Sequence, residues 1–591
     1  MDRLKEVKMK IILKSAAIAL FLVFVFMQIS FADANTDALD RARSLVEQKS
    51  YKEAIGLYNG ISAWLRRDPG LVIEFARVYT YADRHKEAIA LFEEVRKQYP
   101  DKEKEILREL ADQYKWDGQL KKSIEIYRRA KGLGISDIQA ELGLAQALAW
   151  DNQHKESLKE YDEILKNAPD SIETLLGKAE VLSWDDKLER AEALYDEVLK
   201  REPQNFQAEN GVARVHVWQG YHREGVRLYE AIIKDHPLDP DALEGLAFAY
   251  HWDGQETLAL KTLEELLAKY PQRNAARDLF DEIKNARKLQ VGQFNRYSHD
   301  SNHLSILSDR LRAVQNIDDF SVAGASYNWF LFRQPGKTPI NANRWGLDFN
   351  RRLSQYFEVN SYLYVTDYST SFTPITSNTW FTVKPDDIWR FDFAYDRETF
   401  EDIDSILNKI VVNSGSFSFD WRPDRFWLFS AKYKRGHYTD GNNQDTVFSR
   451  LEYRIQQKPF IKLYYNYYYS GWSAQKDHGY FNPKSVQSHT LGIYASKDLT
   501  KKLFVEGQAS SGYEWQNPKE NHPTYYGALG VNYRLTSNWL LNLRGEYFNA
   551  LDTNPKKGYS KKTAFLTLSY SFGAEPTRSF QGSQPQRPTG Q

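Results

Sequence analysis

The sequence predicts an α + β multidomain protein, in which an N-terminal all-α solenoid of helical repeats is followed by an antiparallel transmembrane β-barrel of about 16 strands. Three observations predict this fold: a tryptophan that recurs every 34 residues, a change near residue 290 from helical to alternating periodicity, and a regular series of turns and loops after that change. At 591 residues the chain is too long for a single core. We place the solenoid at residues 35–288, the barrel at 289–573 and a polar tail at 574–591.

The composition excludes several functional classes. The formal net charge is zero, which argues against a nucleic-acid partner. The absence of cysteine removes disulfide frameworks, thiolate zinc sites and cysteine nucleophiles. The aromatic share is 14%, and aromatic residues concentrate after about residue 290, which indicates two different kinds of fold.

Residues 1–34 are typical of a cleaved secretory signal peptide. Lysines precede a nearly unbroken apolar run from Ser15 to Ile29, and a small-x-small cleavage site ends at Ala32 or Ala34. A membrane anchor is the alternative, but the run is shorter than the roughly 20 residues that a spanning helix needs. No cysteine follows the site, so lipid attachment there is excluded. We therefore expect the mature protein to leave the cytoplasm.

Five tryptophans mark the helical repeat, with 34 residues between successive members: Trp116, Trp150, Trp184, Trp218 and Trp252. Each repeat also carries two small residues twelve positions apart and, in most repeats, an aromatic residue four positions later, as in Ala145, Ser157 and Tyr161. Two helices approach closely only where side chains are small, and one large ring fills the gap to the next repeat. A proline such as Pro169 ends the unit because it cannot continue the helix.

This order of small, aromatic and proline positions resembles the tetratricopeptide repeat family, although the family's usual glycine in the first helix is alanine here. The resemblance implies about seven repeats of paired helices, from about Thr36 to Pro271. Gln272 to Leu289 is then a polar last helix, as the capping element of a solenoid requires.

After Leu289, apolar residues alternate with polar or small ones, as in Trp345, Leu347 and Phe349. An apolar face and a charged face on the same strand are typical of lipid-facing and lumen-facing positions. The alternative is a soluble β-sandwich. Against it, aromatic residues cluster after the short turns like an interfacial girdle. The last strand ends at Phe572 with an aromatic pair that resembles the terminal signature of bacterial barrels.

Seven short turns and eight longer connections divide this half into 16 strands and place both chain ends, and hence the repeats, on the periplasmic side. The segment Ile306–Gln315 could be a helix or a poor strand, so 14 strands is the alternative. The predicted turns are Asn316–Asp319, Leu353–Gln355, Pro385–Asp387, Pro423–Asp424, Gln457–Pro459, Thr500–Lys502 and Thr536–Asn538. The predicted loops include Arg333–Asn341, Thr439–Gln444, Ser473–Lys484 and Asn517–Pro523.

A barrel of this size is wide enough to leave an aqueous path. The alternation assigns charges of both signs to its interior, which suits a hydrated polar passenger. The residues predicted to line the pore are Arg344, Asp348, Arg390, Asp392, Lys432, Arg450, Glu452, Arg534, Arg544 and Glu546.

The order of tetratricopeptide repeats before a barrel resembles that of outer-membrane export porins for exopolysaccharides, such as poly-N-acetylglucosamine and cellulose. The barrel half looks like the YaiO-type outer-membrane domain. The resemblance implies polysaccharide export, a bacterial outer-membrane location and repeats that lie in the periplasm. Because one architecture can serve several functions, the resemblance alone does not fix the function.

The repeated tryptophans and their neighbouring aspartates form a candidate ligand-binding row. In the tetratricopeptide frame this tryptophan often faces the concave groove, where rings could stack on successive sugars and carboxylates could bind hydroxyl or amino groups. The alternative is that the rings pack between hairpins while each aspartate accepts from backbone N–H groups at the start of the second helix. The row comprises Trp116, Trp150, Trp184, Trp218 and Trp252 with Asp117, Asp151, Asp185 and Asp253.

Three functional classes follow from this organisation. The first is an export porin for polysaccharide, and the second is an outer-membrane scaffold whose repeats recruit periplasmic proteins without transport. The third, a barrel enzyme, has little support because no HExxH, GxSxG or phosphate-loop motif occurs. We expect no catalytic residue and no cofactor. We also expect no metal site, since the acidic run Glu401–Asp404 lacks an EF-hand spacing. The expected partners are outer-membrane lipid, periplasmic proteins and a polysaccharide, with no nucleic acid.

Overall fold

The computed structural model describes residues 34–135, 137–517, 520–550 and 559–572. Within these ranges the chain forms two units, of which the first extends to Pro203 and the second begins at Gln204. The predicted signal peptide lies outside the described residues except for its last position, and the predicted tail, residues 574–591, lies wholly outside them.

The repeats consist of paired helices, and a short 3₁₀ turn at Pro100–Lys102 precedes one of them. Among the described residues, no helix combines the length and apolar character needed to cross a membrane. The first unit contains α1 (34–47), α2 (Tyr51–Gly60), α3 (Ser62–Leu65), α4 (Pro69–Tyr81), α5 (His85–Gln98), α6 (Glu103–Trp116), α7 (Leu120–Gly132), α8 (Ile138–Trp150), α9 (His154–Asn167), α10 (Ile172–Trp184) and α11 (Leu188–Arg201). The second unit contains α12 (Phe206–Gln219), α13 (His222–Asp235), α14 (Pro240–Trp252), α15 (Glu256–Lys269) and α16 (Asn274–Ala286).

The small positions of the repeat allow the two helices of a pair to touch. Ala145 is fully buried, and the Ser157 hydroxyl on the facing helix donates to its carbonyl oxygen over 2.7 Å. The next interface depends on Gly143, because a Cβ there would lie 2.2 Å from the Tyr127 hydroxyl of the preceding repeat. A polar residue such as Asp137 caps the first helix of a repeat by accepting from the Ala140 N–H over 2.7 Å.

The second unit also contains the barrel, which is closed by antiparallel pairing of its first and last strands. The predicted fold class, helical repeats followed by a barrel of about 16 strands, is confirmed, and Ile306–Gln315 lies within a strand. The strands are β1 (Gln290–Asp300), β2 (Ser305–Asn316), β3 (Ser321–Arg333), β4 (Ile340–Arg352), β5 (Phe357–Tyr368), β6 (Ile375–Val383), β7 (Trp389–Thr399), β8 (Val411–Trp421), β9 (Trp427–Tyr438), β10 (Asn443–Gln456), β11 (Phe460–Trp472), β12 (Ser485–Asp498), β13 (Leu503–Asn517), β14 (Glu520–Arg534), β15 (Trp539–Ala550) and β16 (Tyr559–Ser571).

Short turns connect the strands at the end of the barrel where β1 begins and β16 ends, which we call the short-turn end; the other is the long-loop end. One predicted loop is wrong, because most of Asn517–Pro523 belongs to β13 and β14. Pro523 fits into β14 because it lies opposite Tyr513 of β13, whereas pairing of β14 with β15 extends only to Tyr526. Within the part of the chain that the structure describes, its missing N–H therefore falls on a segment paired with one strand, β13.

Candidate functional site

The interior of the barrel carries the polar half of the alternating pattern. On β4, Trp345 and Leu347 are 50% and 63% exposed on the outer face, while Arg344 and Asp348 point to the opposite side. The same alternation places each predicted pore-lining residue on the inner face of its strand. Aromatic residues gather on the outer face at the short-turn end, where, for example, the rings of Trp539 and Tyr570 lie 4.8 Å apart.

Inner-face charges form ion pairs along one wall of the lumen. Arg312 donates to Asp348 over 2.7 Å, and Arg390 lies 3.0 Å from Asp392. Further along the wall, Lys434 contacts Glu398 over 2.6 Å. Arg312 and Lys434 were not among the predicted pore residues, although the alternation within β2 and β9 could have identified them.

The opposite wall is paired in the same way. Arg450 and Lys462 both contact Glu452, over 3.4 and 2.8 Å. Arg544 bridges Glu546 and Glu506 over 2.6 and 3.2 Å. Of the remaining predicted residues, Lys432 lies opposite Phe448 on β10 and Arg534 lies opposite Leu540 on β15. The lumen therefore presents polar groups whose charges are largely cancelled locally.

An aromatic surface interrupts this polar lining on β5 and β6. Tyr362, Tyr364 and Trp380 are half-buried on the inner face, between outward-facing residues such as Leu363. Their rings are nearly parallel, with Tyr362 lying 5.6 Å from Trp380 and 6.3 Å from Tyr364 between ring centroids. We call these three residues the aromatic platform. Sequence reasoning missed it because these rings occupy positions of the polar face.

The long-loop end holds an apolar cluster that includes loop residues. The connection between β7 and β8 carries a short helix, α17 (Ile403–Leu407), whose Ile403 and Ile406 are fully buried. They pack in one cluster with Phe330 and Phe332, which lie on the inner face of β3. The β7–β8 loop therefore folds inward against the lumen wall.

Ion pairs hold this loop in place. Glu401 contacts Arg296 of β1 over 2.8 Å, and Asp404 is paired with Lys337. The acidic run at Glu401–Asp404 is thus used in pairing with cations. Among the residues that the structure describes, no group of three or more metal-ligating side chains is brought together.

A second loop, between β11 and β12, meets the first one. Its Tyr480 ring lies 5.4 Å from Phe400 of the β7–β8 loop and 4.7 Å from Tyr438 of β9. The Tyr480 hydroxyl also donates a hydrogen bond to the Asp440 carboxylate over 2.7 Å. The Nδ1 atom of His478 is hydrogen-bonded to the same carboxylate oxygen over 2.8 Å. Burial alone would raise the pKa of Asp440, but these hydrogen bonds lower it below its ordinary value. The two loops thus form a connected structure at the long-loop end.

In the first unit, residues of α6 and α8 line a groove with a cavity of about 430 Å³. Trp116 and Trp150 are 56% and 38% exposed beside it, with ring centroids 5.3 Å apart. The groove is otherwise lined by amide, carboxylate and cationic side chains, including Gln113, Lys115, Gln139, Gln146 and Glu173. We call this the Trp116 groove.

Lys115 organises the floor of the Trp116 groove. Its side chain is only 5% exposed, its ammonium donates to Gln146 over 3.0 Å, and it lies 3.3 Å from Asp112. The ammonium also lies over the ring of Trp116, 5.1 Å from the centroid. Burial lowers the pKa of Lys115 below its ordinary value, although Asp112 opposes this shift.

The structure does not place all members of the predicted tryptophan row in one environment. Trp184 is half-buried with its ring 6.5 Å from His154, and Trp218 lies under the guanidinium of Arg214. Trp252 packs against His222 and Phe248, with ring centroids 6.0 and 5.3 Å away. Exposed rings and packed rings therefore both occur in the row.

The aspartates of the row bind neighbouring side chains. Asp117, Asp151 and Asp253 each accept from the glutamine two positions later, over 2.7, 2.6 and 2.6 Å. Asp185 is paired instead with Lys187 over 2.7 Å. These residues lie at the C-terminal ends of the first helices, and the side-chain contacts brace the turn to the next helix.

In the second unit, α13 and α14 lie against the short turns of the barrel. Arg223 donates to the carbonyl oxygens of Lys384 and Gln355, each over 2.7 Å, and its guanidinium lies 4.8 Å from the Tyr356 ring centroid. Arg352 donates to the carbonyl oxygens of Asp253 and Gly254. Arg223, Asp253 and Gly254 therefore belong to a contact between repeats and barrel, which we call the barrel seat.

Comparisons with known proteins agree with this architecture. A family model described as "Putative beta-barrel porin-2, OmpL-like" matches residues 411–580, and two tetratricopeptide repeat models match residues 75–102 and 211–274. The predicted tetratricopeptide repeats are thereby confirmed. The chain combines them with a porin-like β-barrel domain of an outer-membrane protein. No curated protein is similar enough to the sequence to count as a match.

Several solved structures are similar to part of the chain. A bacterial polysaccharide outer membrane secretin is 13% identical, with 49% of this chain and 99% of that chain covered and a TM-score of 0.41. A tetratricopeptide repeat protein from Parabacteroides merdae is 17% identical, with 36% and 92% covered and a TM-score of 0.31. PilW, a type IV pilus biogenesis factor, is 19% identical, with 36% and 97% covered and a TM-score of 0.31.

Proposed function

We propose that this protein is an outer-membrane export porin for an exopolysaccharide, with a cleaved signal peptide and with repeats in the periplasm that guide the polymer or dock partner proteins. The proposal is supported above all by the polar lining of the lumen. A closed 16-stranded barrel presents polar and paired charged groups on its inner face and large apolar side chains on its outer face. Such a lining suits a hydrated polar chain.

The repeats supply a second element of the proposal. The Trp116 groove combines two exposed indole rings with amide and carboxylate groups, and such a combination can bind the apolar faces and hydroxyl groups of sugars. The barrel seat fixes the last repeats at the short-turn end. We propose that this end faces the periplasm, as the position of both chain ends in outer-membrane barrels suggests. The YaiO-type resemblance is part of the same proposal.

The natural absence of cysteine provides a sharp test of transport. Ser416 lies on the inner face of β8, whereas Ser449 lies on the outer face of β10 between Val447 and Leu451. Each serine is replaced separately by cysteine, labelled in detergent with a bulky maleimide, and the full-length mature protein is reconstituted into vesicles loaded with labelled oligosaccharides. We expect efflux through unlabelled protein, and we expect labelling to block it for Ser416→Cys but not for Ser449→Cys.

The inward-folded loop favours a second candidate function. Because Ile403 and Ile406 fill part of the long-loop end, the barrel could serve as a closed anchor while the repeats recruit periplasmic proteins. The efflux experiment distinguishes export from a closed anchor when it also includes the loop variant Ile403→Asp. Efflux through the protein with the natural loop or through Ile403→Asp supports export. If neither releases any oligosaccharide faster than protein-free vesicles do, the export proposal fails and the scaffold stands.

We propose a function without catalysis in either case. Inner-face carboxylates such as those of Asp348 and Glu452 are engaged in ion pairs with Arg312 and Lys462. A nucleophile with an adjacent general base is not brought together among the pore residues described above. Turnover of a panel of ester, glycoside and phospholipid substrates by the purified protein would contradict this part of the proposal.

A further inference from the structure

We infer that the aromatic platform of the lumen is a binding site for an uncharged glycan. This inference rests on the proposed export function and deepens it by naming the substrate class. The platform consists of Tyr362 and Tyr364 on β5 and Trp380 on the neighbouring β6. Three features of the platform support the inference: the shape of the surface, the free polar groups at its edge, and the charge around it.

The shape of the surface suits sugar rings. The planes of Tyr362 and Trp380 differ by 14°, and those of Tyr362 and Tyr364 also differ by 14°. The three rings therefore lie in nearly parallel planes and form one continuous aromatic surface on the lumen wall. A pyranose ring has an apolar face of C–H groups, which packs against aromatic faces while its hydroxyls stay in water.

The polar groups at the edge of the platform are unused. Among the described residues, the hydroxyls of Tyr362 and Tyr364 and the indole N–H of Trp380 have no hydrogen-bond partner. Tyr464 on the other wall differs, because it is only 2% exposed and its hydroxyl accepts from Gln508 over 2.8 Å. The platform rings are half-buried and keep donors and acceptors that a sugar hydroxyl could use.

The two carboxylates around the platform are paired with cations, which favours an uncharged glycan over an ionic polymer. Asp348 is paired with Arg312, and Asp396, which also accepts from Asn378, lies 3.5 Å from Lys434. Arg344 donates to Thr366 over 2.8 Å and stacks on Phe330 and Tyr364. A polyanion or polycation would have to break these contacts or pass them without compensation, whereas an uncharged glycan has no such cost.

The test measures binding of hexasaccharides to the full-length mature protein in detergent by calorimetry. Cellohexaose is the uncharged probe, an alginate hexasaccharide the anionic one and a chitosan hexasaccharide the cationic one, while a neutral hydrophilic hexapeptide represents a peptide ligand.

All measurements use a Trp116→Ala background so that the groove of the repeats does not contribute. Trp380→Ala and Tyr362→Ala remove the platform, and Trp380→Phe keeps a ring there. Phe381→Ala is the matched control, since Phe381 is the next residue of β6 and faces outward with 36% exposure.

We expect cellohexaose to bind at least about tenfold more tightly than the charged hexasaccharides or the peptide, and each alanine variant to weaken it by roughly tenfold. Trp380→Phe and Phe381→Ala should bind like the background protein. Retained binding by Trp380→Phe shows that a loss in Trp380→Ala comes from the ring and not from misfolding. Preference for a charged probe or the peptide, equal effects of Trp380→Ala and Phe381→Ala, or no binding would overturn the inference.

Failure of this inference is distinguishable from failure of the proposed export. If efflux is blocked by labelling Ser416→Cys but binding is unaffected by Trp380→Ala, transport stands and the platform does not contribute. If no efflux occurs while cellohexaose binding depends on Trp380, the lumen binds a glycan without exporting it. The first result contradicts the platform as the site, and the second contradicts export.

Discussion

The carboxylate of Asp387, in the short turn between β6 and β7, accepts hydrogen bonds from the backbone N–H of Arg223 at the start of α13, over 3.1 and 3.2 Å. The Glu224 N–H donates to the same carboxylate over 3.3 Å. A turn of the barrel thus caps a helix of the repeats, using the free N–H groups and the positive end of the helix dipole. Burial raises the pKa of Asp387, although these hydrogen bonds oppose the shift.

Replacing Asp387 with asparagine should loosen the barrel seat. The substitution keeps the size of the side chain but replaces one of the two accepting oxygens by an NH₂ group, so that hydrogen bonds from the Arg223 and Glu224 N–H groups are lost. We expect a loss of about 1–2 kcal/mol in local stability. Hydrogen exchange of the Arg223 and Glu224 amides measures this loss directly. Asp386→Asn is the control, because Asp386 accepts from Ile388 and Trp389 within its own turn. Equal protection in both variants would contradict the role of Asp387.

The barrel seat should weaken in acid because of His222. Burial lowers the pKa of this imidazole from 6.5 to about 4, so the unfolded state binds a proton that the folded state does not between these values. Stability contributed by neutral His222 is complete above pH 6.5 and is lost as the pH falls towards 4, by up to about 3 kcal/mol.

The measurement is thermal unfolding of the wild type and His222→Gln across pH 7 to 4. Asp387 has an effect of opposite sign, since its raised pKa favours the folded state on protonation. The difference between the two proteins isolates His222. We expect this difference to shrink as the pH falls; a difference independent of pH would show that His222 does not titrate as described.

Releasing the β7–β8 loop should open the long-loop end. A charge at Ile403, which is fully buried, is incompatible with the apolar cluster around Phe330 and Phe332, so Ile403→Asp should expel α17. Single-channel recordings should then show a several-fold higher conductance. Leu407→Asp is the matched control on the same helix, because Leu407 is 54% exposed. Identical conductance of the two variants would mean that the loop does not restrict the pore.

The Trp116 groove should bind its ligand through the exposed rings. Trp116→Ala removes a 56% exposed indole and the contact with Lys115, and we expect roughly tenfold weaker binding of a neutral oligosaccharide, measured in a Trp380→Ala background. Leu133→Ala removes another exposed apolar side chain of the first unit and should have no effect. If the wild-type repeats bind no oligosaccharide, the row has a packing role.

Local periodicity made most of the fold predictable from the sequence. The recurrence of Trp116 and its equivalents identified the repeat because each unit must form the same contacts with the next one. The alternation around Trp345 identified inner and outer faces because successive side chains of a strand point to opposite sides. Even the weak segment Ile306–Gln315 is a strand, since its neighbours in the closed barrel supply the hydrogen bonds.

The contacts that define the sites were less predictable because they join distant parts of the chain. Asp253 belongs to the row that the sequence predicts to bind a ligand, yet its environment depends on Arg352 and Arg223 of the barrel seat. The burial of Ile403 depends on Phe330, and the platform depends on the pairing of β5 with β6. No local periodicity encodes such contacts, so they become visible only when the strands are in register.

The presence of an aqueous lumen inside a lipid-facing barrel is tested most directly by a single-cysteine scan of β10 in lipid vesicles with a water-soluble maleimide. Because the barrel encloses a wet lumen and faces lipid outside, cysteines at Thr446, Phe448 and Arg450 should react, while those at Val447, Ser449 and Leu451 should be protected. Alternating reactivity with a period of two residues is the predicted result. Equal reactivity at all six positions would contradict a lipid-facing barrel with an aqueous interior, and with it the proposed export.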